Sequence, residues 1–220
     1  TRLSRGLGDV YKRQLQRRDE PRLLSDVIVE DKRRVAAVRD AAGPDAELFI
    51  DANCSLDFFH AVELAGALTP YHISFFEEPI TQNDVRQMAD LRRQTGMRVA
   101  CGQNEGQQYR FRDMLVAGAV DIIQPNVVIT GGFTQCQKIA ALASGFNVGI
   151  DNGGAWPFFN AHLQAGCSNG GLVEYHYSSV EACKLIYDGL VEPADGFFTV
   201  SDAPGLGFEL NRERLESFVI

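Results

Sequence analysis

Polar residues recur at a near-constant interval along this chain, each closing a short apolar run. Leu48-Phe49-Ile50 ends in Asp51-Ala52-Asn53, and Ile73-Ser74-Phe75-Phe76 ends in Glu77-Glu78-Pro79. Met97-Arg98-Val99-Ala100-Cys101 ends in Gly102-Gln103-Asn104-Glu105. The steps from Asp51 to Glu77 and from Glu77 to Gln103 are each about 26 residues, roughly one strand, one helix and two loops. Acidic and amide oxygens at the carboxyl ends of successive parallel strands converge, and a hard divalent cation such as Mg²⁺ takes such oxygen donors. The competing reading is that each acidic residue merely caps the helix that follows it. One such residue is adequately explained by capping; three in register point to a metal site. The pattern then requires Asp51 and Glu77 to lie at the same end of one sheet.

The elements that would position these residues alternate. Ile28, Val35, Val38 and Ala42 fall on one helical face, and Gly43-Pro44 stops that helix before a strand over Glu47 to Asp51. Ser55 is a candidate cap for a helix carrying Phe58, Val62 and Ala65, followed by a strand over Ile73 to Phe76. Asn83 or Asp84 caps the next helix, with Val85, Met88 and Leu91 inward, and Gly96 closes it. A short helix with Phe111, Met114 and Leu115 precedes a strand over Val120 to Gln124. Gly131-Gly132 opens a helix with Phe133, Cys136, Ile139 and Ala143 inward. Then come a strand over Asn147 to Ile150, a helix from Pro157 to Ala165, and a strand Leu172-Val173-Glu174. The strand ends are thus Asp51, Glu77, Gln103, Asn126, Asp151 and Glu174.

Short apolar strands alternating with helices indicate an α/β fold with a parallel sheet buried on both faces. Even spacing and strand-end polar residues favour a (β/α)₈ TIM barrel over a doubly wound sheet, and no GxGxxG or Walker sequence is present. Only six clear units appear where a barrel needs eight, so the expected architecture is a barrel incomplete at its amino terminus. Thr1 to Gln14 shows no apolar periodicity, and Val10-Tyr11-Lys12-Arg13-Gln14 resembles translated adapter sequence. The expected organisation is a non-native segment at 1–14, a partial barrel with the metal site at 15–184, and a carboxy-terminal segment at 185–220.

With 45% hydrophobic residues in 220, the chain can bury a sizeable core. A net charge of −8 argues against nucleic acid as a partner, and no apolar run is long enough for a membrane span. A cytoplasmic protein is expected. Five cysteines without CxxC spacing indicate neither a disulfide framework nor a zinc cluster, and read as small, buried, reduced residues.

Asp51-Ala52-Asn53, Glu77-Glu78-Pro79, Gly131-Gly132 before a helix, the strand ending in Glu174, and Pro204-Gly205-Leu206-Gly207 together resemble the enolase superfamily, in its mandelate racemase and muconate lactonizing branch. The resemblance covers roughly Leu23 to the end. It implies a modified (β/α)₇β barrel whose amino-terminal capping domain is absent from this sequence, with residues 185–220 packing on that domain. It also implies Mg²⁺ held by three strand-end carboxylates, abstraction of the proton α to a substrate carboxylate, a metal-stabilised enediolate, and a homo-oligomer at full length. That proton is too weakly acidic for a side-chain base alone, and a divalent cation on the enolate oxygens supplies the missing stabilisation.

On this resemblance Asp51 and Glu77 are metal ligands and Glu78 a carboxylate behind them. For the third ligand, register favours Gln103 and charge favours Glu105; the reading leans to Glu105. The sixth-strand position falls on Asn126, which cannot take a proton, and the seventh on Asp151, a base if desolvation raises its pKa. The alternative for both is hydrogen bonding to sugar-acid hydroxyls. Glu174 matches an acid that hydrogen-bonds the substrate carboxylate. His60, His72, His162 and His176 have no comparable claim. A second-strand lysine base would fall around Tyr11 to Arg17. The expected activity is dehydration of a sugar acid, because racemisation needs a base on each face. The alternatives are a racemase or epimerase, or a non-catalytic homologue that keeps only the metal site.

Overall fold

The computed structural model describes residues 24–218. The adapter-like segment at 1–14 and the stretch from Tyr11 to Arg17 lie outside them. The described elements form an α/β fold of parallel strands joined by helices, six of the strand–helix repeats from which a TIM-type barrel is built. The chain divides into two compact units: one holds the residues up to 101 together with 113–122, the other holds 102–112 and 123 onward.

The first unit contains α1 (Leu24–Ala42), β1 (Leu48–Asp51), α2 (Phe58–Leu68), β2 (Ile73–Glu77), α3 (Val85–Thr95) and β3 (Val99–Cys101). Its strands lie in chain order and run parallel, with Phe49 opposite Phe75, Asp51 opposite Glu77, and Glu77 opposite Ala100. Phe76 is fully buried, and the rings of Phe49 and Phe75 stack at 4.4 Å. Burying a phenylalanine on this scale contributes about 2–3 kcal/mol, so the strands are held by packing as well as by their ladder. Loops add specific ties. The Arg39 guanidinium donates to the carbonyls of Tyr71 at 2.8 Å, Ala46 at 2.6 Å and Gly43 at 3.0 Å, joining the end of α1 to the turn before β2. Arg92 of α3 pairs with Asp121, whose other role is to accept the Val99 N–H at 2.9 Å and so fix the start of β3.

Several boundaries differ from the sequence reading, for identifiable reasons. Asp57, not Ser55, caps α2, because its carboxylate reaches the His60 N–H at 2.9 Å while the Ser55 hydroxyl bonds the Ala52 carbonyl. Asp84 caps α3 and Gly96 closes it in the left-handed conformation at φ 68°, as expected. The inward face of α1 is Val27, Ile28, Asp31 and Val35, with Val38 exposed.

The second unit holds α5 (Phe133–Gly145), β5 (Gly149–Asn152), α6 (Pro157–Gly166), β6 (Gly170–Val173), α7 (Tyr177–Ile186), a small antiparallel pair β7 (Tyr187–Asp188) and β8 (Glu209–Leu210), and α8 (Arg212–Glu216). The helix α4 (Gln107–Val116) and the strand β4 (Ile122–Ile123) contribute residues to both units. β4 is shorter than the expected Val120 to Gln124. β5 begins at Gly149 rather than Asn147, since Asn147 adopts φ 57° in the turn that ends α5. Asp151 therefore lies within the strand and not beyond its end. Phe158, Val180 and Cys183 form a core onto which Tyr175, Tyr187, Phe198 and Phe208 pack, with Phe158 edge-on to Phe198 at 5.7 Å. Residues of the 185–220 segment thus pack on α6 and α7.

All five cysteines are thiols rather than disulfides. Cys101, Cys136 and Cys183 are buried, and burial pushes the Cys136 thiol up to about 12, whereas Cys54 and Cys167 are half-buried. Among the described residues no helix is long and apolar enough to cross a membrane.

Asp31 is the outlier of the first unit's core. It is 4% exposed, neither carboxyl oxygen has a hydrogen-bond partner, and Arg34 Nη1 stands 3.5 Å away. It lines a small cavity with Val35, Leu64, Leu68 and Phe76. Desolvation raises its pKa from 3.8 to about 6 against the pull of Arg34. A carboxyl with a raised folded-state pKa costs stability in full above that pKa, and the cost vanishes as pH falls through 6 toward 3.8. Asp31→Asn is therefore expected to stabilise the chain by about 1–3 kcal/mol at pH 7.5 and by almost nothing near pH 4. Thermal melts of both proteins across that range check this; a pH-independent difference would contradict it.

Candidate functional site

In the first unit Asp51 and Glu77 are the last residues of adjacent parallel strands and are direct register partners. They therefore lie side by side at one end, with backbones separated by about 4.8 Å, the strand spacing. The loops beyond them are tied together. The Ala52 N–H donates to the Glu77 carbonyl at 3.0 Å, and the Glu78 N–H to the Ala100 carbonyl at 3.0 Å. Asp51 Oδ1 accepts the Asn53 N–H at 2.6 Å, which orients the carboxylate over its own turn. Glu78 is fully buried and accepts a hydrogen bond from Asn83.

In the second unit Gln103 and Glu105 follow β3. Gly102 is required at φ 128°, since a Cβ there would sit 2.6 Å from the Phe111 ring. Gln103 is 6% exposed, while Glu105 is half-buried with Arg110 Nε 3.1 Å from its carboxylate. Among the described residues no group of three or more His, Cys, Asp or Glu side chains is placed to hold a metal ion, a statement that leaves amide donors such as Gln103 aside.

Two further sequence-predicted residues of this unit, Asn126 and Glu174, meet at one loop, Gly153-Gly154-Ala155. Asn126, fully buried, directs Nδ2 at the carbonyls of Gly153 (2.8 Å), Gly154 (3.1 Å) and Ala155 (3.2 Å). Its Oδ1 accepts from Val128 N at 3.0 Å and from Asn160 Nδ2 at 3.1 Å. Asn160 Oδ1 in turn accepts the Val127 N–H at 2.9 Å. Asn152 Nδ2 donates to the Gly153 carbonyl at 2.9 Å and its Oδ1 accepts Glu174 N at 3.2 Å. Glu174 Oε2 accepts Ala155 N at 2.8 Å. Gln103 lies beneath the same loop, since a Cβ on Gly153 or Gly154 would stand 3.1 or 3.2 Å from Gln103 Cβ.

Asp151 stands apart from this group. Its Oδ1 accepts the Leu172 N–H of β6 at 2.6 Å, and alternation along β5 places its neighbour Asn152 with Asn126 and Glu174. Sequence reasoning gave no role to Asn152 or Asn160 and read Asn83 as a candidate helix cap. An Asn-Gly-Gly run could have signalled the first; the others carry no local mark, their partners being 34 and 5 residues distant. His162 bonds the Leu206 carbonyl at 3.0 Å and His60 pairs with Asp57, so each has a structural partner.

Replacing Asn160 by Leu would leave the Val127 N–H and an Asn126 lone pair unpaired where no water reaches, an expected loss of about 2–4 kcal/mol. Chemical denaturation measures it; a loss below about 0.5 kcal/mol, the level of an ordinary surface change, would show that the amide network does not hold this loop.

The chain is 32% identical over 203 residues to D-galactarolactone cycloisomerase of Agrobacterium fabrum, covering 87% of this chain and 54% of that protein. It is 30% identical to L-rhamnonate dehydratase of Saccharopolyspora erythraea, covering 82% of this chain and 48% of that one. The crystal structure of L-talarate dehydratase from a Polaromonas species, complexed with Mg and L-glucarate, superposes with a TM-score of 0.79 at 27% identity, over 86% of this chain and 52% of that one. The chain thus spans about half the length of the curated relatives it matches. Residues 13–214 match the family described as enolase C-terminal domain-like, and with its parallel strands ending in Asp51 and Glu77 the chain belongs to that family.

Proposed function

We propose that this chain carries the metal-binding strand ends of a Mg²⁺-dependent enzyme that removes the proton α to the carboxylate of a sugar acid and expels water. The observation that carries the reading is the Asp51–Glu77 register pair, two carboxylates on neighbouring strand ends within reach of one cation. The donor chemistry fits, since Asp51, Glu77 and Gln103 present oxygens, the hard donors Mg²⁺ prefers. The third donor is Gln103, which is buried, or Glu105, which lies 3.1 Å from Arg110 Nε. When bound, Mg²⁺ supplies Lewis-acid stabilisation of the negative charge that develops on the substrate carboxylate.

The chain's own residues bear on the reaction type. Asn126 and Asn152 are neutral amides and cannot accept the α-proton. Glu174 accepts the Ala155 N–H and so orients the loop, and in this reading it also faces the substrate carboxylate. With neutral amides at these positions two opposed bases are not assembled, which favours loss of water over inversion. The dehydratases and cycloisomerases among the relatives agree with carbon-acid chemistry on sugar acids and their lactones. A second reading, a homologue that keeps the metal site without proton transfer, is favoured by the Asp151–Leu172 bond, which turns the only acidic side chain of β5 toward the β6 backbone.

The test is a panel of acid sugars in D₂O with Mg²⁺, wild type beside Asp51→Asn. A 2-keto-3-deoxy acid formed by wild type alone supports dehydration. α-Deuterated epimer without keto acid means a racemase; Mg²⁺ binding without either product from a protein extended at its amino terminus to the length of its relatives means the second reading. Asp151→Asn separates base from strand tie. If Asp151 serves β6, the variant loses about 1–2 kcal/mol of stability and keeps turnover within about 3-fold; a loss of about 10²-fold or more in kcat at unchanged stability would make it the base.

A further inference from the structure

Behind Glu77, three residues of the first unit close a ring of hydrogen bonds. The Cys54 backbone N–H donates to the Glu78 carbonyl at 2.8 Å. The Asn83 amide donates through Nδ2 to Glu78 Oε1 at 3.0 Å. The Cys54 thiol donates to Asn83 Oδ1 at 3.4 Å, completing the circuit. Glu78 is 0% and Asn83 2% exposed, so the carboxylate and the amide meet out of solvent.

All three members hold backbones in the left-handed region, Cys54 at φ 59°, Glu78 at φ 40° and Asn83 at φ 50°. Asparagine tolerates that region; cysteine and glutamate do so only where surrounding contacts over-determine it. An amide suits the middle of the ring, since it donates to a carboxylate on one side and accepts from a thiol on the other. The loop backbone is anchored separately, with the Thr81 N–H and hydroxyl on the Leu56 carbonyl at 2.8 and 3.0 Å and the Asn83 N–H on the Ile80 carbonyl at 2.9 Å. The Asn83 side chain is therefore not what closes the loop; it fixes Glu78 against the loop that follows Asp51.

We propose that Asn83 is a positioning residue for the metal-ligating pair, holding Glu78 so that the adjoining Glu77 and the Asp51 loop keep one geometry. The inference rests on the reading of Asp51 and Glu77 as Mg²⁺ ligands. Outer partners of ligating carboxylates typically govern metal affinity by 10- to 100-fold, and Asn83, one bond further out, is expected to act near the lower end.

The experiment measures Mg²⁺ binding to the 220-residue chain by calorimetry, with no substrate present. The variants are Glu77→Gln, Asn83→Gly, which keeps the left-handed backbone, and Asn83→Asp, which sets a second anion against Glu78. Glu77→Gln is expected to abolish binding, Asn83→Gly to weaken it about 10-fold, and Asn83→Asp further; both Asn83 variants are expected to melt below wild type because the buried Glu78 loses its amide partner, so affinity is compared at a temperature where every variant is folded. A second readout is the rate of Cys54 alkylation by iodoacetamide, followed by peptide mass mapping. Mg²⁺ should slow it in wild type and leave it unchanged in Asn83→Gly. If the glycine variant fails to fold, Cys54→Ser and Cys54→Ala replace it, the first expected to bind Mg²⁺ as wild type does and the second more weakly. Wild-type affinity in the Asn83 variants, or equal affinity of the two Cys54 variants, beside a defective Glu77→Gln overturns the positioning role and leaves the metal reading standing. Absence of binding in wild type overturns the metal reading and this inference with it.

Discussion

The parallel register of β1 and β2 is the constraint on which the rest depends. Because Asp51 pairs with Glu77, two carboxylates that sequence separates are brought to neighbouring positions at one strand end. In water that proximity is a modest repulsion; at a partly buried strand end it is a cost that a cation offsets. The ladder bond from Ala52 N to the Glu77 carbonyl carries the register past the last strand residues, so the loops start from defined positions. Packing supports the same alignment, with Phe49 on Phe75 and Phe76 buried behind. A one-residue slip would turn one of the two carboxylates to the helix-covered face.

The second unit solves a different problem with neutral groups. The Gly153-Gly154-Ala155 loop turns three carbonyls inward, and Asn126, Asn152 and Asn160 satisfy them. Amides do this without the desolvation cost an ionised acid would carry, and they supply donor and acceptor together. The same choice withdraws these positions from proton transfer. Positive charge is likewise kept local, since Arg110 sits on Glu105.

Asp31 shows the opposite economy. A carboxyl buried among Val35, Leu64 and Phe76 with no hydrogen bond weakens the fold at neutral pH, and nothing in its surroundings compensates beyond the offset Arg34. Core residues of this kind mark where a helix pattern and a tertiary environment disagree. Here α1 continues its apolar face through Val27, Ile28 and Val35, and the carboxyl falls on that face by helical phase.

The alternation of strand and helix, the strand-end positions of Asp51 and Glu77, and a cap at Asn83 or Asp84 with its glycine stop at Gly96 were legible in the sequence, because each rests on contacts between near neighbours; the structure chose Asp84. Helical phase, capping and strand length act over a few residues, and the sequence records them directly. What escaped it were choices made by partners distant in the chain. The sequence placed Asp151 at a strand end, but the turn at Asn147 shifts β5 and the Leu172 N–H takes its carboxylate. It could not tell Gln103 from Glu105, because the Arg110 pairing depends on how α4 leaves the loop. It was silent on Asn160 and on the ring of Cys54, Glu78 and Asn83, because an amide's partners are chosen by three-dimensional proximity and leave no periodic trace. The sequence by itself determined the order of the elements and the strand-end pair Asp51 and Glu77; the tertiary structure alone decided the remaining boundaries and which polar residues spend their hydrogen bonds on the fold.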